Sequence, residues 1–171
     1  MTNPQPLMTD QPTSLEVTVG RLLRQRPLTL ATAESCTGGL IGHRLTEVAG
    51  SSAYFLGGII AYSNKVKAHL LGVKPETLEV HGAVSAETAI EMARGARRAL
   101  GADIAVSVTG IAGPDGGTAD KPIGLTYIAL AAAHDERVER FVWDQDRVGN
   151  KWESSEAALR MIQDYLLRVG P

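Results

Sequence analysis

The sequence predicts one α/β domain, a three-layer α/β/α sandwich around a mixed, mostly parallel sheet. Three observations predict it. Segments with helical periodicity alternate with short β-capable runs, the pattern that places helices over both faces of a sheet. The run Asp103–Val108 (DIAVSV) is compact and apolar, as in a strand buried on both faces. Two later runs are joined by the short polar turn His134-Asp135-Glu136, which suits an antiparallel hairpin. The length of 171 residues fits one domain on a prior of about 100–200 residues, and 44% hydrophobic residues suffice for a core without metal or disulfide support. The domain is expected over residues 13–171. Residues 1–12, with three prolines and mostly polar neighbours, are expected to be a disordered tail.

Each element has a local cause. Thr13-Ser14-Leu15-Glu16 has capping-box spacing, and Leu15, Val19 and Leu22 recur at helical intervals before Pro27 ends the run. Leu28–Ala33 reads as a strand. The loop Glu34–Gly39 leads into a helix with Leu40, Ile41, Leu45 and Val48 on one face, stopped by Gly50. Ala53–Ser63 reads as a strand in which Gly57-Gly58 marks a bulge or close approach. Helices are expected over Asn64–Leu71, closed by Gly72, and over Pro75–Val80. Ser85 caps a longer helix with Ala89, Ala93, Ala96 and Leu100 along a narrow face. After Asp103–Val108 comes the Gly/Pro/Asp-rich loop Thr109–Pro122, then strands over Gly124–Ala133 and Arg137–Trp143. The last helix, Lys151–Arg168, places Trp152, Ser155, Leu159, Ile162 and Leu166 on one face.

Composition excludes several function classes. A net charge of −2 without basic runs argues against nucleic acid as a partner, and 5% aromatics offer few stacking platforms. No apolar run approaches the ~20 residues of a membrane helix, and the N-terminus lacks a secretory pattern. The single cysteine, Cys36, cannot form an internal disulfide, which fits a reducing cytoplasm, and excludes a cysteine-only metal site.

Four segments could carry chemistry. Glu34-Ser35-Cys36-Thr37-Gly38-Gly39 sits at a strand end and opens a helix, where sheets of this class bind ligands. Ser35 is a candidate nucleophile with helix-start amides around Thr37, Gly38 and Gly39 as oxyanion donors; the plain alternative is a Ser/Thr N-cap with glycines needed for packing. Cys36 reads as a small buried bystander. The histidines, His43, His69, His81 and His134, are scattered, which argues against a Ser-His-Asp triad and a histidine metal site. Tyr62-Ser63-Asn64-Lys65-Val66-Lys67 supplies a lysine whose pKa burial could lower and a tyrosine able to pass a proton. On spacing alone, both lysines are solvated surface charges. Thr109-Gly110-Ile111-Ala112-Gly113 begins a long loop of the kind that is usually functional in a compact domain. Asp146-Arg147 places a guanidinium between the last strand and the last helix, where it could grip a phosphate or carboxylate.

In this order the motifs AESCTGG (33–39), AGSSAYF (49–55), YSNKVK (62–67), LGV (71–73), HGAVS (81–85), TGIAGPDGG (109–117) and KPIG (121–124) resemble the CinA C-terminal domain family, whose members include stand-alone nicotinamide mononucleotide (NMN) deamidases. The resemblance spans about residues 13–168. It implies a three-layer fold and hydrolysis of the NMN carboxamide to nicotinate mononucleotide and ammonia, a nicotinamide-nucleotide amidase of pyridine nucleotide recycling needing no metal or organic cofactor. It further implies Ser35 as nucleophile, Lys67 as base and Tyr62 as proton-transfer assistant. Ser52 is an added polar group at the site, and Asn64, Thr109, Gly110, Ile111, Ala112, Gly113 and Arg147 are substrate contacts. Gln145-Asp146-Arg147 keeps Asp-Arg of the family's usual Gly-Asp-Arg but not its glycine, and Val148–Trp152 departs from the usual arginine-containing stretch. That departure favours the alternative, a catalytically weak nucleotide-binding or regulatory module of the same fold. Many relatives carry a further N-terminal domain, for which 171 residues leave no room. Small-residue helices and a hairpin edge make a homodimer the expected assembly.

Overall fold

The structure, a computed structural model, describes residues 13–170; the expected tail at 1–12 lies outside the described residues. The elements are α1 (Leu15–Arg24), β1 (Leu30–Glu34), α2 (Leu40–Thr46), a 3-10 turn (Ser51–Ala53), β2 (Phe55–Ile60), α3 (Asn64–Leu71), α4 (Pro75–Val80), α5 (Ala86–Leu100), β3 (Ile104–Gly110), β4 (Leu125–Ala131), β5 (Glu136–Val142) and α6 (Arg147–Arg168). The sheet order is β2-β1-β3-β4-β5. β2, β1 and β3 pair in parallel, while β4 is antiparallel to both of its neighbours. β5 therefore runs in the direction of β1–β3. The carboxyl ends of β1, β2, β3 and β5 all meet one edge, and that edge receives every candidate segment.

The two sheet faces differ in side-chain size. Leu30, Ile104, Val106, Val108, Ile128 and Leu130 point to the layer of α1, α2 and α6, where they pack with Val19, Leu23, Ile41, Leu45, Leu159 and Ile162. Each such side chain contributes about 1.5–3 kcal/mol through burial. Ala31, Ala33, Ala105, Ala129 and Ala131 point to the α5 side. Their small size lets α5 approach closely along Ala89, Ala93 and Ala96, and Ser107 Oγ donates to the Ala89 carbonyl at 2.6 Å. Gly95 has no room for a side chain: a Cβ there would collide with the Leu71 backbone carbonyl, so this glycine lets α5 cross the end of α3.

Several boundaries differ from expectation. α1 takes Ser14 rather than Thr13 as its N-cap, with no side-chain cap bond, and Glu16 pairs with Arg44 (2.7 Å). α2 ends by Thr46, and Gly50 (φ +78°) instead heads the 3-10 turn. The turn takes up the expected start of β2. Leu56 is the extra residue at a bulge, since Leu30 and Ala31 pair with Phe55 and Gly57. α6 starts four residues early, because Asp146 Oδ1 caps the Gly149 N–H at 2.8 Å. Trp152 is 48% exposed rather than part of the core face, with the Arg44 guanidinium 4.3 Å from its ring centre. No helix among the described residues is long and apolar enough to cross a membrane.

Candidate active site

Ser35 is the first residue past β1, which lies between β2 and β3. Its N–H donates to Val108 O at 2.9 Å, while Ala61 N–H donates to Glu34 O at 2.8 Å, so Ser35 is held between the ends of β3 and β2. Ser63 starts α3 by accepting the Val66 N–H at 3.3 Å, and α3 then turns Lys67 and Leu71, one turn apart, inward. Lys67 is 1% exposed, and its Nζ lies 2.9 Å from Ser35 Oγ, 2.9 Å from Ala61 O and 3.4 Å from Tyr62 O. Among the described residues no carboxylate pairs with it. Burial holds the amine below the ordinary lysine value of 10.5. A neutral amine has two N–H groups and one lone pair. In that form, with its N–H groups on the two carbonyls, the amine would have its lone pair left for the Ser35 hydroxyl proton. The solvated lysine of the spacing argument is thus a buried one, because the fold returns α3 onto the sheet end.

The dyad opens into a cavity of about 270 Å³ lined by Ser35, Cys36, Tyr62, Asn64, Lys67, the Thr109–Gly113 segment and Arg147. Ala83, Val84, Asp115 and Gly116 complete the lining; they lie in the motifs HGAVS and TGIAGPDGG but were not among the expected site residues. Ala83 is brought there by Thr109 Oγ1, which donates to its carbonyl at 2.7 Å. Gly110 is required by close approach, since a Cβ would stand 2.7 Å from Leu125 O and 3.1 Å from Cys36 Sγ. Burial pushes the Cys36 thiol up to about 12, so it stays protonated and fits the bystander role.

Other expected site residues are placed differently. Ser52 lies in the turn before β2, and the neighbouring Tyr54 carbonyl accepts from Leu30 N–H at the start of β1. Ser52 is therefore at the opposite edge of the sheet and does not join this cavity. Gly38 and Gly39 do not line it either. Their N–H groups are committed, Gly38 to Ser35 O at 3.1 Å and Gly39 to Glu34 Oε2 at 3.0 Å. Thr37 Oγ1 likewise donates to Glu34, at 2.7 Å. The Tyr62 side chain is 62% exposed, and its hydroxyl meets Arg147 Nη2 at 3.1 Å rather than Lys67; only its backbone carbonyl faces the amine. Arg147 also donates from Nη1 to Gly113 O at 2.6 Å, which places it against the cavity of its own chain.

Glu34 has a role that its place in AESCTGG did not disclose. It is 1% exposed and accepts from Thr37 Oγ1 and from the N–H groups of Gly39, Ile41 (3.1 Å) and Gly42 (2.9 Å). The carboxylate thus occupies the start of α2, where free N–H groups and the helix dipole favour an anion. This explains why the helix-start amide of Gly39 is unavailable to an oxyanion, as the bond to Ser35 O does for Gly38. Replacing Glu34 with alanine leaves these donors buried and unpaired. A loss of about 3–5 kcal/mol is expected, read as a lower denaturant midpoint at unchanged slope.

Comparison with known proteins agrees with this fold. The family model described as the CinA C-terminal domain matches residues 12–166. A CinA-like protein of Geobacter sp. (strain M21) is 57% identical over 146 residues, which is 85% of this chain and 35% of that protein. The chain spans little more than a third of the length of such curated relatives. Among solved structures, a competence/damage inducible protein from Agrobacterium tumefaciens is 41% identical with a TM-score of 0.85, covering 93% of this chain and 99% of that one. A CinA superfamily protein from Klebsiella pneumoniae is 33% identical with a TM-score of 0.87, covering 90% and 96%.

Proposed function

The chain belongs to the CinA C-terminal domain family, and from that premise we propose that it hydrolyses the carboxamide of NMN to nicotinate mononucleotide and ammonia. The observation that carries the proposal is the buried, carboxylate-free contact between Lys67 Nζ and Ser35 Oγ at 2.9 Å. A structural lysine gains nothing from such burial, whereas a general base needs the lowered pKa that burial imposes.

An amide is a weak electrophile with a poor leaving group. In the proposed reaction Lys67 takes the hydroxyl proton as Ser35 Oγ attacks the carboxamide carbon. The amide of Cys36, which lines the cavity and is not claimed by Glu34, is assigned to the developing oxyanion. The C–N bond then breaks, and Lys67 returns the proton to nitrogen so that ammonia leaves. Water attacks the resulting acyl-Ser35, again giving its proton to Lys67, which restores Ser35 Oγ–H as the acid departs. Tyr62 and Arg147 act at the cavity mouth, with Arg147 toward the phosphate or ribose held by Thr109–Gly113; Asn64 contributes a polar group to the same wall. The assembly we favour is a cytoplasmic homodimer, supported by the single cysteine and by the outer edges of β2 and β5, which pair with no further strand among the described residues.

The alternative is a binding or regulatory module, favoured by the altered sequence around Arg147. Purified protein incubated with NMN decides between them. Stoichiometric ammonia and nicotinate mononucleotide are expected; NMN bound without either product would reject the enzyme.

A further inference from the structure

We propose that Asn150 is a positioning residue that fixes the shape of the Thr109–Gly113 segment and thereby sets the affinity for the mononucleotide. Its functional half rests on the reading above. Asn150 is 1% exposed and does not line the cavity. Both ends of its carboxamide are used: Nδ2 donates to Ala112 O at 3.0 Å, and Oδ1 accepts from Gln145 N–H at 3.1 Å. The amide orientation is therefore fixed by its partners.

Arg147, three residues earlier on the first turn of α6, donates to Gly113 O at 2.6 Å. Residues three apart share a helix face, so one face of α6 holds two successive carbonyls of the segment. Successive carbonyls of an extended chain point in opposite directions. Holding both toward one helix demands a bend, which Gly113 supplies at φ +87°. Before this bend, Ile111 is tied to the sheet edge, its N–H donating to Leu125 O (2.8 Å) and its carbonyl accepting from Gly124 N–H (2.7 Å). Among the described residues, the side-chain bonds to Ala112 and Gly113 come from α6 alone. Arg147 is exposed and also engages Tyr62, so the buried Asn150 is the member of the pair whose only task is to hold the chain. Loss of this bond displaces the segment without removing any group from the cavity. Misplacement of about 1 Å in a binding element can cost up to about 10²-fold.

The test is Asn150→Asp in the full chain. One carboxylate oxygen still accepts from Gln145 N–H, but the other opposes Ala112 O and drives the segment away. Amide hydrogen exchange over residues 109–116 is expected to accelerate about tenfold or more. The KM for NMN should rise about tenfold, with kcat changed about twofold at most. Val148→Ala, one residue past Arg147 and 75% exposed, should change neither quantity. A lower thermal midpoint with unchanged exchange and unchanged KM would mean that Asn150 is only part of the helix start, and would overturn the proposal. Should the aspartate variant not fold, Asn150→Ser, which keeps a hydroxyl but cannot span to Ala112, takes its place in the same measurements. If the wild-type protein fails to turn over NMN, the functional reading falls, and the exchange result still decides whether Asn150 holds the segment.

Discussion

Replacing Ser35 by alanine is expected to reduce ammonia release from NMN by roughly 10⁴–10⁶-fold, the range seen when a covalent nucleophile is removed. The fold should survive. Ser35 is held by its backbone N–H on Val108 O, which alanine retains, and the lost hydroxyl touches only Lys67. An unchanged thermal midpoint would separate a chemical defect from a structural one. Near-normal ammonia release by this variant would reject Ser35 as nucleophile, whatever the fate of the rest of the site.

Lys67→Met should be about as silent. Methionine fills a similar volume but offers neither lone pair nor proton, and loss of a general base costs about 10²–10⁴-fold before the leaving-group proton is counted. Lys67→Arg should fail as well, since a guanidinium stays charged. In the wild type the rate should rise with pH through the depressed Lys67 value, below 10.5, and level off above it, because only the neutral amine accepts the Ser35 proton. Stability carries the same signature. Between the folded value and 10.5 the unfolded chain binds the lysine proton and the folded chain does not, so the Lys67 contribution rises with pH across that window and is constant below it. The wild-type stability curve minus that of Lys67→Met should show this slope. A flat difference curve and a pH-independent rate would both contradict a neutral resting amine.

Much of the site was legible because its parts are punctuated locally. The Ser63 cap and Gly72 stop bound α3 at the residues expected from sequence, and the Gly-rich segment after β3 announced itself by composition. Ser52 was misplaced because a short motif carries no information on which edge of the sheet it reaches. The 3-10 turn puts it before β2, whereas the chemistry gathers after that strand. Glu34 and Asn150 were passed over because a carboxylate or carboxamide that serves backbone groups has no spacing signature. Its partners are backbone groups, which every residue carries, so neither the Gly39, Ile41 and Gly42 amides that Glu34 accepts from nor the Ala112 carbonyl that Asn150 reaches is marked by residue type.

The order of helices and strands and the single core followed from the sequence alone, since periodicity, caps and glycine breaks act within a few residues, while Ser35, Lys67 and Arg147 were joined as candidates by the resemblance of their motifs. The distances that make a site of them did not. Lys67 on spacing alone is a surface charge, and it becomes a buried amine against Ser35 only because parallel β1 and β2 end side by side and α3 folds back over Ser35. Arg147 reaches Gly113 only because β5 runs with β1 and delivers α6 to the same edge. Strand direction and neighbour order are set by which apolar faces pack together across the whole domain, and that choice is made among residues far apart in the chain.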